Sequence, residues 1–104
     1  MAGNRLEILR QLVEQNPGDS RTRYMLAMEL AGLGDLQGAL DEYEALLARD
    51  PTYCYAYFHA GRALEKLGRR EQARQMYLRG IAAAEQAGDA HARDELRGAL
   101  EALD

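Results

Sequence analysis

The chain has 104 residues, room for one small domain whose core is thin. Its formal net charge of -4, from 13 basic and 17 acidic residues, withholds the basic face from which a nucleic-acid binder gains affinity. A lone cysteine, Cys54, cannot close an internal disulfide and suits a reducing compartment, so a cytoplasmic protein is expected.

In chain order, the N-terminal stretch carries charges every few residues and has no signal-peptide apolar run. No later segment approaches membrane-spanning length. Residues 3–15 place Leu6, Leu9 and Val13, with Ile8 and Leu12 alongside, on an amphipathic stripe at helical spacing. "NPGD" then breaks the chain at Pro17. Residues 20–50 predict two helices joined at Gly34, with Asp35 placed to cap the second. After Pro51 comes "YCYAYF", whose alternation imitates a strand; its flanks, and the dominance of Ala, Leu, Glu, Arg and Gln, predict that it opens a helix. On that helix Tyr53 and Tyr57 share a packing face with Ala60, Gly61 and Leu64, while Tyr55, Phe58, His59 and Arg62 occupy another. Residues 54–86 predict a second helix pair, joined at Gly68. Gly88 and Asp89 stop it, and residues 89–103 predict a closing helix with Ala92, Leu96, Ala99, Leu100 and Leu103 on one side. The prediction is one all-α domain over 1–104 with six helices.

The two helix pairs repeat. Pro17 and Pro51 differ by 51 − 17 = 34 positions, and the same shift overlays Leu30 on Leu64, Leu33 on Leu67, Gly34 on Gly68, Ala39 on Ala73 and Tyr43 on Tyr77. This period, with a leucine–glycine turn between helices, resembles the tetratricopeptide repeat, a helix–turn–helix unit that stacks into a right-handed solenoid. The family's sequence pattern falls on Arg23, Leu26, Ala27, Leu30, Ala39, Tyr43 and Pro51 in repeat one. In repeat two it falls on Tyr57, Ala60, Gly61, Leu64, Ala73 and Tyr77; Glu85 stands where the closing proline belongs. Ala27, Gly61, Ala39 and Ala73 are small because large side chains would hold crossing helices apart. Two full repeats fall short of the three that usually suffice, so the end helices, or a second copy of the chain, make up the difference.

No catalytic, metal or cofactor motif is present: no HExxH, CxxC, GxxxxGK or GxSxG. Cys54 and His59 lie five positions apart, roughly 140° around a helix of about 100° per residue, which does not pair a nucleophile with a base. The only other histidine, His91, lies on a different element, so a zinc site would need carboxylate help and is not expected. Arg69, Arg70 and Arg74 read as a solvated turn and helix start. An enzyme is not expected.

The resemblance implies an interaction scaffold or adaptor whose concave surface, lined by the first helix of each repeat, holds a peptide of another protein. On this sequence that surface would present Arg21, Tyr24, Met25 and Met28, then Tyr55, Phe58, His59, Arg62 and Lys66. Aromatic and methionine side chains give adaptable apolar area, and arginine a forked donor for carboxylates. A segment with an apolar anchor near an acidic residue or a C-terminal carboxylate would suit it. Some members clamp a chaperone's C-terminal carboxylates with lysines and asparagines. Here the corresponding positions hold Tyr24, Met28, Phe58, His59 and Arg62, and Lys66 alone could match a clamp lysine, which does not support that clamp, though Arg62 could act alone. The alternative is a structural module that self-associates as a homodimer, with the end helices or the groove burying a second copy, so that a charge placed at Leu96 or Leu103 gives a monomer. No nucleic acid and no membrane are expected as partners.

Overall fold

The computed structural model describes residues 2–103. They form six α-helices: α1 (Ala2–Gln15), α2 (Ser20–Gly32), α3 (Leu36–Arg49), α4 (Cys54–Lys66), α5 (Arg70–Ala87) and α6 (Ala90–Leu103). Each helix packs on the next in the chain, and α4 also touches α6.

One turn recurs within each helix pair and again before α6. Gly34, Gly68 and Gly88 adopt φ values of 90°, 76° and 71°, the left-handed region where a side chain is strained. The following N–H then reaches back to the carbonyl five residues earlier, from Asp35 to Leu30, Arg69 to Leu64 and Asp89 to Ala84, each at 2.9 Å. Asp35 accepts the Gly38 N–H at 2.9 Å and Asp89 the Ala92 N–H at 3.0 Å, which caps α3 and α6. Arg69 stands in Asp35's place and makes no side-chain cap for α5.

Small residues lie where the helices cross. Ala27, Ala39, Ala60 and Ala73 are fully buried, and Tyr43 and Tyr77 fill the space they leave. Leu9 of α1 occupies the place of Tyr43 and Tyr77 at the same spacing and is buried too. Arg5 stands where Ala39 and Ala73 stand in the full repeats, and pairs with Glu29 at 2.9 Å. Helix α6 buries Ala92, Leu96 and Leu103.

The two repeats tie their entry loops by different chemistry. The Tyr57 hydroxyl donates to the Pro51 carbonyl at 2.7 Å. Arg23, at the equivalent position, reaches the Pro17 carbonyl at 3.5 Å and pairs with Glu42 at 2.8 Å. The Arg23 and Glu42 side chains are 15% and 26% exposed, so this pair is largely desolvated, and the Arg23 Nε has no partner. Removing one member strands the other. Arg23→Ala is therefore expected to cost about 1.5 kcal/mol. The double change Arg23→Tyr with Glu42→Met, which copies Tyr57 and Met76 into repeat one, should melt within a few degrees of the parent. Thermal melts by circular dichroism compare the three; a double variant as weak as Arg23→Ala would refute the equivalence.

Candidate functional site

Helices α2, α4 and α6 share one face of the stack, and a row of rings crosses it. Tyr53 lies 5.3 Å from Tyr24, Tyr24 lies 5.7 Å from His59, and His59 lies 5.3 Å from Phe58. Beneath the row, the buried Tyr43 ring lies nearly parallel to His59, 6.3 Å away and inclined by 19°. The Arg62 guanidinium stands over Phe58 at 5.8 Å, a cation–π contact.

Two hollows open on this face. The first, between α2 and α4, is lined by Met28, Ala31, Leu36, Tyr43, His59, Arg62 and Lys66 among others. The second, between α4 and α6, is lined by Phe58, Arg62, Glu65, Glu95, Ala99 and Ala102. Of the residues the sequence assigned to this surface, Met28, His59, Arg62 and Lys66 meet around the first hollow, and Phe58 and Arg62 in the second. Tyr24 joins them through the ring row. Arg21, Met25 and Tyr55 line neither hollow. Arg21 acts electrostatically on Tyr53, and Tyr55 on the exposed side of α4 feels Glu95 and Asp89. Met25 is 39% exposed.

The sequence missed Tyr53, Glu65, Glu95 and Ala99. Helical spacing put Tyr53 on the packing face with Tyr57. It is the residue before α4, with φ −78° and ψ 82°; its ring packs partly buried against the core and also lies 5.3 Å from Tyr24. Helix α6 leaves the face open and forms one wall of the second hollow. Leu96 and Leu103 are buried in their own chain, so a charge placed at either acts first on the docking of α6.

Burial among the rings, then the nearby Arg62 charge, holds the His59 imidazole below its ordinary pKa, with Glu95 opposing weakly. The unfolded chain therefore takes up this proton first as pH falls. Stability from His59 is complete above its unfolded value of about 6.5 and is lost as pH drops through that range. Urea melts between about pH 7 and pH 5.5 should show a smaller loss of stability in His59→Gln than in the parent. Equal losses would remove His59 as the group responsible.

A furrow also runs between α3 and α5 on the opposite side, lined by Asp41, Glu44, Arg69, Glu71 and Arg79 around Leu40, Leu64 and Met76. Those three apolar residues are buried, and the rest of the lining mixes carboxylates with arginines. On the α2–α4–α6 face Met28 and Tyr55 remain 40% and 36% exposed. Among the described residues, no three His, Cys, Asp or Glu side chains are placed to hold a metal ion, and no helix is long and apolar enough to cross a membrane.

The Tetratricopeptide repeat family model matches residues 6–54 and 24–90. An uncharacterized protein of Methanocaldococcus jannaschii is 31% identical over 70 residues, 67% of this chain and 81% of that protein. The solution structure of a tetratricopeptide repeat domain protein from Salinibacter ruber superposes with a TM-score of 0.81 at 34% identity, covering 86% of this chain and 90% of that one. PcrH, solved in complex with the chaperone binding region of PopD, is similar in fold, with a TM-score of 0.90 at 21% identity over 98% of this chain and 77% of PcrH.

Proposed function

We propose that this chain, which belongs to the tetratricopeptide repeat family, is a non-enzymatic adaptor that holds a peptide segment of another protein on its α2–α4–α6 face. The observation that carries this reading is the first hollow. There exposed apolar surface of Met28 lies beside Arg62 and Lys66, and neither cation has a hydrogen bond or ion pair among the described residues. Apolar area gives a ligand its anchor, and unpaired donors fix its orientation. PcrH, which shares the fold, is seen with a segment of PopD. The buried, free Cys54 fits work in the reducing cytoplasm.

The test compares two baits in a native lysate: the parent chain, and Tyr55→Ala with Phe58→Ala and Arg62→Glu, checked as folded by circular dichroism. A protein retained by the first and lost by the second, mapped to a linear segment by cross-linking, is the expected result. Identical retention by both baits would remove this face from binding.

A second reading, self-association, rests on Ile8 and Leu12 of α1, which are 56% and 44% exposed. Light scattering on the parent and on Leu12→Glu decides it: a dimer that becomes a monomer would support the second reading, and a monomeric parent would end it.

A further inference from the structure

The two hollows share Arg62 but differ in charge. Around the first, Arg62, Lys66 and His59 gather with no carboxylate. Tyr43 also lines it, and its hydroxyl donates only to the Met28 sulfur, at 3.0 Å. Around the second, Glu65 and Glu95 face the single shared Arg62. Glu65 accepts the Tyr77 hydroxyl, and Glu95 meets His91 at 2.9 Å. An ionised carboxylate offers about four acceptor sites, so both keep capacity for a further donor. Between the hollows stands the Phe58 ring under Arg62. The face therefore runs from a donor-rich end, across an aromatic, to an acceptor-rich end.

We infer that the segment held on this face is bipolar. It carries an acidic side chain or terminal carboxylate in the α2–α4 hollow, a lysine or arginine in the α4–α6 hollow, and an apolar residue between them on Phe58. This rests on the adaptor reading above and adds charge and register to it. The hollows are separated by one helix spacing, about 8–10 Å. An extended chain advances about 3.3 Å per residue, so acid and base stand about three residues apart. Opposite charges at the two ends fix which way the segment lies, because the reversed placement sets like charges together at both ends.

Phage displaying random twelve-residue peptides are selected on the full chain, and in parallel on Lys66→Glu and Glu95→Lys, both exposed positions. The parent should enrich peptides with an acid and a base about three residues apart around an apolar residue. Lys66→Glu should enrich peptides that have lost the acid, and Glu95→Lys peptides that have lost the base. Measured by fluorescence anisotropy, the best parental peptide should bind Lys66→Glu about fivefold more weakly, the size of one exposed ion pair. That difference should shrink with added salt.

Enriched peptides without the charge pair, or unchanged on the two variants, would overturn the bipolar inference and leave the adaptor reading standing. No enrichment on the parent over the Tyr55→Ala, Phe58→Ala, Arg62→Glu chain would overturn both. Selection of peptides matching this chain's own sequence would give the face to a second copy, and would also overturn the inference.

Discussion

Replacing Gly61 by valine is expected to lower the melting temperature by about 12–24 °C, since one kcal/mol moves a domain of this size by about 4–8 °C. Gly61 lies inside α4 and is buried. A Cβ built there would collide with the Tyr77 ring, meeting Cζ at 2.6 Å and Cδ1 at 2.7 Å, with Cε1 closer still. That ring cannot swing aside. It is fully buried, and its hydroxyl is held by Glu65. Overpacking of this kind costs about 3 kcal/mol, more than the helix propensity a side chain recovers. Gly98 supplies the opposite sign. It lies inside α6, and a Cβ there meets nothing within 4 Å. Gly98→Ala should therefore raise stability by about 0.5–1 kcal/mol. Calorimetric melts of both variants check the pair; Gly61→Val melting within a few degrees of the parent would mean that α4 and α5 do not cross this closely.

Leu96→Asp is expected to undock α6 and abolish a sharp melting transition. Leu96 is 1% exposed. Its methyls press on the backbone at Gly80, where an added Cβ would lie 2.9 Å from Leu96 Cδ2 and 2.6 Å from the Tyr57 Cβ. A truncated leucine alone costs about 2–5 kcal/mol, and the buried carboxylate adds several more. The total rivals the whole stability of a small domain, about 5–15 kcal/mol. Ellipticity at 222 nm should fall, and the melt should broaden. A charged variant that stayed folded and only changed mass in light scattering would restore Leu96 to an intermolecular surface.

The features legible in the sequence were the local ones. A glycine required at positive φ, an aspartate after it, and small residues at helix crossings each announce themselves within a few positions, and the period of 34 aligned them. The α2 and α4 contributions to the candidate site followed from that alignment. What escaped depends on α6. Helix α5 has 18 residues where α3 has 14, so the repeat register no longer carries beyond Ala87. Nothing in the stripe of Leu96, Leu100 and Leu103 says which neighbour it covers, and so Glu95 and Ala99 could not be placed opposite Phe58. Tyr53 escaped for another reason: it precedes the helix whose spacing was used to place it.

The turn shared by Gly34, Gly68 and Gly88 bears on how a gene for such a chain changes length. An in-frame tandem duplication of 34 codons, begun anywhere within repeat one, inserts a unit whose two junctions are both of the kind already present. Unequal crossing-over between the copies removes one just as cleanly. Lineages can therefore gain or lose whole units in single genetic events, with no intermediate allele that must encode a misfolded product.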